Sequence, residues 1–156
     1  MEKKKNSRKG LGMGAAPHLH QLHTNLIMFG LMERVPKNMR MNFLPDSTVD
    51  EDLKNGEKKI RPDISYYADA SYANGDCNHA NLTFVVEVVN TNGVAYSTGR
   101  IRELFRREPT LEEAFLYNYE ERSWKRFLRE NGNVDENEKS YSKTFGFYMT
   151  SIEGVK

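Results

Sequence analysis

An apolar run that contains a single acid is the feature that most constrains the fold. Residues Leu82–Val89 read LTFVVEVV, and the loop-forming stretch Thr91-Asn92-Gly93 follows. Such a short run, rich in β-branched and aromatic residues, predicts a central strand that is covered on both faces. A carboxylate is costly to bury alone, so Glu87 needs a proton, a partner or a cation.

A second acid lies next to a proline in another predicted strand. Residues 60–67 read IRPDISYY, and Asp63 lies on the strand face that carries Ser65. If the two strands are neighbours, Asp63 and Glu87 meet, and Mg²⁺ or Mn²⁺ would relieve their repulsion and activate a water. The spacing by itself favours a plainer alternative, in which Asp63 makes a strand-end hydrogen bond and Glu87 pairs with an arginine.

Length and charge bound the class of protein. The 156 residues suffice for one buried core, so we expect a single domain over residues 15–156. Residues 1–14 are rich in lysine and glycine and would bury little, so we expect them to form a disordered basic arm. A net charge of +1 excludes an overall positive field for nucleic acid. The single Cys77 excludes an internal disulfide. With neither a membrane span nor a signal-peptide core in the sequence, we expect a cytoplasmic protein without a membrane partner.

The first predicted helix begins at Pro17 and reaches about Glu33. An apolar stripe at three- and four-residue steps predicts the face that packs on the core, and Glu33 falls on that same face. A cluster of three histidines suggests either a surface group or, with Cys77 or His79, a zinc site; the surface group is the favoured interpretation. The stripe is Leu19, Leu22, Leu26 and Phe29, and the histidines are His18, His20 and His23.

The remaining pattern predicts strands and one further helix. After the helix we expect strands over residues 40–44, 60–67 and 82–89, separated by polar loops. A second helix capped by Ser97 would bury Ile101, Leu104 and Phe105 and end at Pro109. Strands over residues 114–120, 123–129 and 145–149 complete the chain, with a polar loop over residues 131–138.

The order of these elements and the two acids together resemble the PD-(D/E)XK nuclease superfamily, and within it the restriction-endonuclease-like bacterial proteins. The resemblance covers about residues 17–127. It implies an α/β fold with a mixed central sheet flanked by helices, an αβββαβ core with added C-terminal strands. It also implies metal-dependent phosphodiester hydrolysis, with Asp63 and Glu87 as ligands of Mg²⁺ or Mn²⁺ and Glu33 as an assisting acid.

One position departs from the motif of that superfamily. The lysine expected two residues after the acid falls at Val89. Arg100 on the second helix is the residue best placed to supply a positive charge, although arginine does not readily lose a proton. Two interpretations therefore stay open: an endonuclease, and an inactive module of the same fold that binds nucleic acid or protein.

A basic stripe on the second predicted helix is relevant to whether the protein binds nucleic acid. Arg102, Arg106 and Arg107 project away from its apolar face, and a nuclease would use them on a phosphate backbone. A solvated face with helical ion pairs explains them equally well. The resemblance favours DNA over RNA and is compatible with a homodimer.

Overall fold

A computed structural model describes residues 17–46, 60–68, 71–73, 76–78 and 81–155, with the side chains of residues 71–78 outside that description. The predicted basic arm, Cys77 and His79 therefore lie outside the described side chains. The helices and strands are α1 (Pro17–Arg34), β1 (Phe43–Pro45), β2 (Ile64–Tyr67), β3 (Ser71–Ala73), β4 (Asp76–Asn78), β5 (Leu82–Val89), α2 (Val94–Arg107), β6 (Glu113–Asn118), β7 (Ser123–Glu130), β8 (Asn133–Asn137), β9 (Tyr141–Ser142) and β10 (Phe147–Tyr148).

A six-stranded mixed sheet with the order β1-β2-β5-β6-β7-β8 organises the fold. Strands β5 and β6 are parallel because α2 connects them across one face, and the other neighbours are antiparallel. In the β2–β5 register Ile64 lies opposite Val86, so Asp63 arrives beside Glu87. The α/β prediction with a mixed sheet is confirmed, and β5 has the bounds that its sequence predicted.

Each face of the sheet packs against one helix. Alternate β5 residues Phe84, Val86 and Val88 face α1 and the C-terminal segment, which adds Met149 and Ile152. The other β5 residues, including Val85 and Val89, face α2. The side-chain period of two thus places Glu87 on the face of Val85 and Val89, which is the α2 side.

Helix α1 has the predicted length but turns a different face to the sheet. Its buried residues are Thr24, Ile27 and Leu31, whereas Leu22 and Phe29 are 51% and 61% exposed. The predicted core stripe was therefore wrong except at Leu26, which is half-buried and packs against the core. Apolar residues lie on both sides of this helix, so their period alone did not identify the inner side. Its last turn ends ahead of Pro36, as expected for a residue that cannot continue a helix.

Helix α2 begins earlier than predicted. The Asn90 side chain accepts a hydrogen bond from Gly93 N at 2.9 Å and caps the short 3-10 turn that leads into the helix. Ser97, the predicted cap, is instead buried inside α2. At the other end the Arg129 guanidinium donates to the carbonyls of Phe105 and Glu108, which satisfies groups that a helix end leaves open.

Several short elements differ from the prediction. Residues Lys37–Asn42 form a 3-10 helix, so the first strand starts later, at Phe43. Strand β8 lies inside the stretch predicted as a polar loop, and β3 and β4 form a small hairpin inside another. The predicted last strand is replaced by the β9–β10 pair and a 3-10 turn.

Candidate functional site

Asp63 lies at the bend where the chain enters β2. Its Oδ2 accepts a hydrogen bond from Val88 N at 2.7 Å, so the side chain satisfies a backbone group of β5. The carboxylate is thereby held at the end of the strand that Pro62 precedes. This contact is the strand-end hydrogen bond of the plainer alternative, and it also fixes Asp63 against the strand that carries Glu87.

Glu87 is the buried acid of the sheet. Only 2% of the residue is exposed, and Arg100 Nη2 lies 3.3 Å from its Oε1. The same Nη2 donates to the Arg61 carbonyl oxygen at 2.8 Å. Within the described residues Glu87 Oε1 receives no hydrogen bond. The arginine pairing of the plainer alternative is present, but it leaves a buried carboxylate oxygen unsatisfied.

The electrostatics show that the two acids share one environment. Burial raises the pKa of Glu87 well above its usual value, and the negative charge of Asp63 raises it further, whereas Arg100 lowers it. Two carboxyl groups at close range oppose each other's ionisation, and a cation between them would reverse that effect. The structure therefore brings Asp63, Glu87 and Arg100 together.

His20 joins this group from α1. Its Nε2 lies 3.1 Å from Asp63 Oδ1, and this hydrogen bond is the main cause that raises the pKa of His20. His20 was predicted to belong to a surface cluster, so this contact with Asp63 was not expected. The signal was its spacing, because His20 lies four and seven residues before Thr24 and Ile27 on the buried face of α1.

The three histidines have separate environments. His18 is exposed, whereas the His23 ring stacks on Tyr119 with centroids 5.3 Å apart and planes 7° apart. Burial, together with Arg122, lowers the pKa of His23. Only His20 contacts an acid in the described part of the chain, and the alternative zinc partners Cys77 and His79 lie outside the described side chains.

Asp46 is a third acid near the pair. Its backbone N–H donates to the Asp63 carbonyl at 3.0 Å, and its charge contributes to the raised pKa values of Glu87 and His20. A second Pro-Asp dipeptide, Pro45-Asp46, was the available signal. Strand β1 places it there because Pro45 pairs with Ile64.

The structure does not bring Glu33 to the acids. Glu33 is exposed in the last turn of α1, thirteen residues beyond His20, which corresponds to about 20 Å along a helix. The reason is the rotation of α1 described above, since Glu33 shares the outward face with Leu22 and Phe29.

The arginines of α2 are engaged in ion pairs. Arg102 binds both carboxylate oxygens of Glu136 on β8, with its Nε 2.6 Å from Oε1. Arg106 and Arg107 both contact Glu103 on the same helix. These contacts lower the pKa values of Glu136 and Glu103, the latter to about 2. The stripe is therefore largely neutralised by its neighbours.

The residues of the pair fit a divalent cation that keeps several waters. Glu87 presents a buried oxygen without a hydrogen-bond donor, and Asp63 adds a second carboxylate. No group of three His, Cys, Asp or Glu side chains forms a metal cage in the described ranges. Mg²⁺ is commonly held by one or two carboxylates with substrate and water completing the shell, so two acids suffice for it.

Comparison with known protein families identifies the family to which the chain belongs. The family model Uma2, described as "Putative restriction endonuclease", matches residues 11–144. The chain belongs to the Uma2 family. Uma2 is part of the PD-(D/E)XK restriction-endonuclease-like superfamily, so the resemblance predicted from the sequence is confirmed. No curated protein matches the chain.

The Uma2 assignment agrees with the observed architecture. A mixed six-stranded sheet with a helix against each face is consistent with the restriction-endonuclease-like fold. No helix in the described ranges has the length and apolar content needed to cross a membrane. The position of the motif lysine is taken by Val89, which is buried against α2.

Proposed function

We propose that this Uma2 chain is a metal-dependent nuclease that hydrolyses phosphodiester bonds, with Asp63 and Glu87 holding Mg²⁺ or Mn²⁺. The observation that carries the proposal is the oxygen of Glu87 that is buried, unsatisfied and next to a second carboxylate. A fold that retains such an acid bears a cost in stability, and a bound cation would offset it. Family membership supports a nucleic acid, preferably DNA, as the substrate.

Each side chain has a distinct part in this proposal. When bound, the metal supplies charge stabilisation at the phosphate and a water of lowered pKa. Asp63 is oriented by Val88 N and His20, which hold its two oxygens in fixed directions. The Arg100 guanidinium donates to the Arg61 carbonyl and lies 3.3 Å from Glu87, and in this proposal it would stabilise negative charge that develops on the phosphate.

The second candidate function is an inactive binding module of the same fold. It is favoured by Val89, an apolar residue where the motif has its lysine, because Arg100 does not accept a proton in the role of that lysine. Such a module would bind nucleic acid or protein without cleaving it. The two candidates differ in turnover, which makes them separable.

The test measures metal binding and cleavage on the same variants. Calorimetric titration with Mn²⁺ should show a site in the parent that Asp63→Ala and Glu87→Ala lose, while Glu153→Ala, an exposed acid elsewhere on the surface, keeps it. Supercoiled plasmid, single-stranded DNA and RNA should be cut with Mn²⁺ and spared with EDTA. We expect each site variant to lose at least about 100-fold in rate, as for a removed electrostatic group.

The outcomes assign the function. Mn²⁺ binding without cleavage of any substrate would favour the binding module over the nuclease. Cleavage by Glu87→Ala at the parental rate would contradict the proposed site.

A further inference from the structure

The outward side of α1 lacks charge to a degree that is unusual for a protein surface. From Pro17 to Met32 the helix contains no Asp, Glu, Lys or Arg, although 29% of the whole chain is charged. Leu22 and Phe29 are 51% and 61% exposed there. A helix that is apolar on two opposite sides is normally covered on both, and the sheet covers only one.

The exposed residues have the spacing of a helix-pairing seam. His18, Leu22, Asn25 and Phe29 follow one another at steps of four, three and four residues, and all four are exposed. We call these four residues the neutral face of α1. Alternating steps of three and four keep a seam in line with a partner helix, which is the pattern of paired helices in coiled coils.

We propose that the neutral face of α1 is a homodimer interface, in which two α1 helices pack antiparallel about a twofold axis next to Asn25. This arrangement is isologous, so the same patch serves both copies and the assembly closes at two. It is independent of the proposed nuclease activity, because His20 and the acids lie on the opposite side of the helix.

The neutral face is complementary to itself in this orientation. With the axis between Asn25 and Leu26, Leu22 lies beside Phe29 of the partner subunit, and two large apolar side chains that are now exposed become buried. By the same register Glu33 lies beside His18 of the partner subunit.

Charge at the ends of the helix supports the antiparallel direction. Glu33 makes no ion pair with any described residue, and the first turn of α1 contains no acid. In the antiparallel pair each Glu33 reaches the first turn of the other helix, where the helix dipole gives partial positive charge. A parallel pair would instead leave both glutamates side by side at the negative helix end.

Other occupants fit the face less well. The residues that precede Pro17 include five lysines and arginines, and Leu11 and two methionines are their only large apolar side chains. A lipid surface would favour an uninterrupted apolar stripe, whereas Asn25 lies in the middle of this one and bonds to Gln21. A single polar residue within a seam is instead a known device that sets the register of paired helices.

Oligomeric state tests the proposal directly. Sedimentation velocity and light scattering on the full chain, from about 1 to 200 µM, should show a monomer–dimer equilibrium, as expected for a helix-pair interface of modest area. Leu22→Glu and Phe29→Glu should weaken dimerisation at least about tenfold. Met41→Glu is the control, since Met41 is 62% exposed outside α1. Circular dichroism confirms that each variant is folded.

Cysteine cross-linking tests the direction. In a Cys77→Ser background, Asn25→Cys should form an intermolecular disulfide on mild oxidation, because the two copies of residue 25 meet at the axis. His18→Cys should not, since antiparallel pairing separates its copies by about 22 Å along the axis. Equal cross-linking at both positions would indicate a parallel pair and overturn the proposal.

Two further results would also overturn it. One is a parent protein that stays monomeric up to the highest concentration. The other is a monomer whose binding to anionic vesicles is lost in Leu22→Glu, which would assign the face to a lipid surface.

Discussion

The buried carboxylate of Glu87 destabilises the folded state when it is ionised. The acid is buried in a sheet, its Oε1 has no hydrogen-bond donor among the described residues, and its nearest cation is directed at a carbonyl. Removing its charge should therefore favour folding while abolishing the metal binding that we propose for this site. Opposite effects on stability and function are common at sites selected for activity.

We predict that the advantage of Glu87→Gln over the parent grows as the pH rises. Because the pKa of Glu87 is raised in the folded state, the folded protein binds the proton more tightly than the unfolded chain. In the parent, protonated Glu87 therefore contributes its full stabilisation below the ordinary carboxyl pKa. This contribution to the free energy of unfolding is lost as the pH rises through the raised pKa, by at most about 1.4 kcal/mol per pH unit. His20, whose pKa is also raised, contributes with the same sign in both proteins.

Urea unfolding at a series of pH values measures this difference. Glu153→Gln, at an exposed position, should follow the parent throughout. A constant difference between Glu87→Gln and the parent across the acidic to neutral range would show that Glu87 ionises normally. Added Mn²⁺ should stabilise the parent and leave Glu87→Gln unchanged, because only the parent retains the ligand.

The two acids of the candidate site were predicted from the sequence, but not all of the residues that contact them were. Glu87 stood out because a carboxylate inside an apolar strand has few explanations, and Asp63 because the strand that follows Pro62 would bring it beside Glu87. His20 and Asp46 did not, because their roles depend on how α1 rotates and where β1 ends, and both are set by tertiary packing. Arg100 was found through the family resemblance, which pointed to the helix after β5 as a source of positive charge once the motif lysine was missing.

Among the elements, α1 shows what determines the inner face of a helix. A Cβ atom built on Gly30 would overlap Cγ2 of Ile152, which is itself buried. The absence of a side chain at Gly30 thus allows the C-terminal segment to approach α1 closely. The apolar period of the helix could not reveal this contact, because Ile152 is distant in sequence.

We predict that Gly30→Ala destabilises the protein by about 1–3 kcal/mol, the usual cost of overpacking. The matched control is Gly99→Ala in α2, where a Cβ meets nothing within 4 Å and should stabilise by about 0.5–1 kcal/mol through helix propensity. Thermal unfolding of both variants measures the pair. Adding Ile152→Ala to Gly30→Ala should cost less than the sum of the two changes; additive costs would argue against the contact.

Strand β8 is an element that the sequence pattern did not predict. Its sequence NVDEN has low strand propensity, so residues 131–138 were predicted as a loop. The strand forms because Asn131 and Gly132, both with positive φ, make a tight turn that reverses the chain and pairs β8 antiparallel to β7. Tertiary pairing, including the Arg102–Glu136 contact to α2, overrides the local preference.

For the whole molecule, one buried carboxylate holds the C-terminal segment against the sheet. Glu113 at the start of β6 is fully buried, and it accepts hydrogen bonds from the backbone N–H groups of Lys143 and Thr144 and from the hydroxyls of Ser142 and Thr144. The segment it anchors continues to Met149 and Ile152 in the core beneath α1. Glu113 therefore links the sheet to the layer that supports α1.

We predict that Glu113→Ala destabilises the protein by about 2–4 kcal/mol, because it leaves several buried donors unpaired. It should also expose residues 138–148 to protease under conditions in which the parent resists. Glu112→Ala, at the exposed neighbouring position, should do neither. Equal effects in urea unfolding and limited proteolysis would show that Glu113 is not the anchor.

The topology was more predictable than the packing. The order of helix, three strands, helix and strand was predicted with the help of Pro17, Pro109 and the apolar run of β5, and the family resemblance of that order implied the α/β class. The Glu113 anchor was not predictable, because its partners lie about thirty residues further along the chain in a turn with no pattern of its own.

The hydrogen bond between Asp63 and Val88 N has an evolutionary consequence. Replacing this aspartate would leave a backbone N–H in the sheet without an acceptor, so selection for folding alone is enough to keep it, even in a descendant that has lost activity. Glu87 has no such protection, because its ionised carboxylate is buried with an oxygen that accepts no hydrogen bond, and a proton or a bound cation would offset that cost. Under the proposed nuclease function, substitution of this glutamate among relatives of the chain should therefore mark the lineages that no longer cleave nucleic acid.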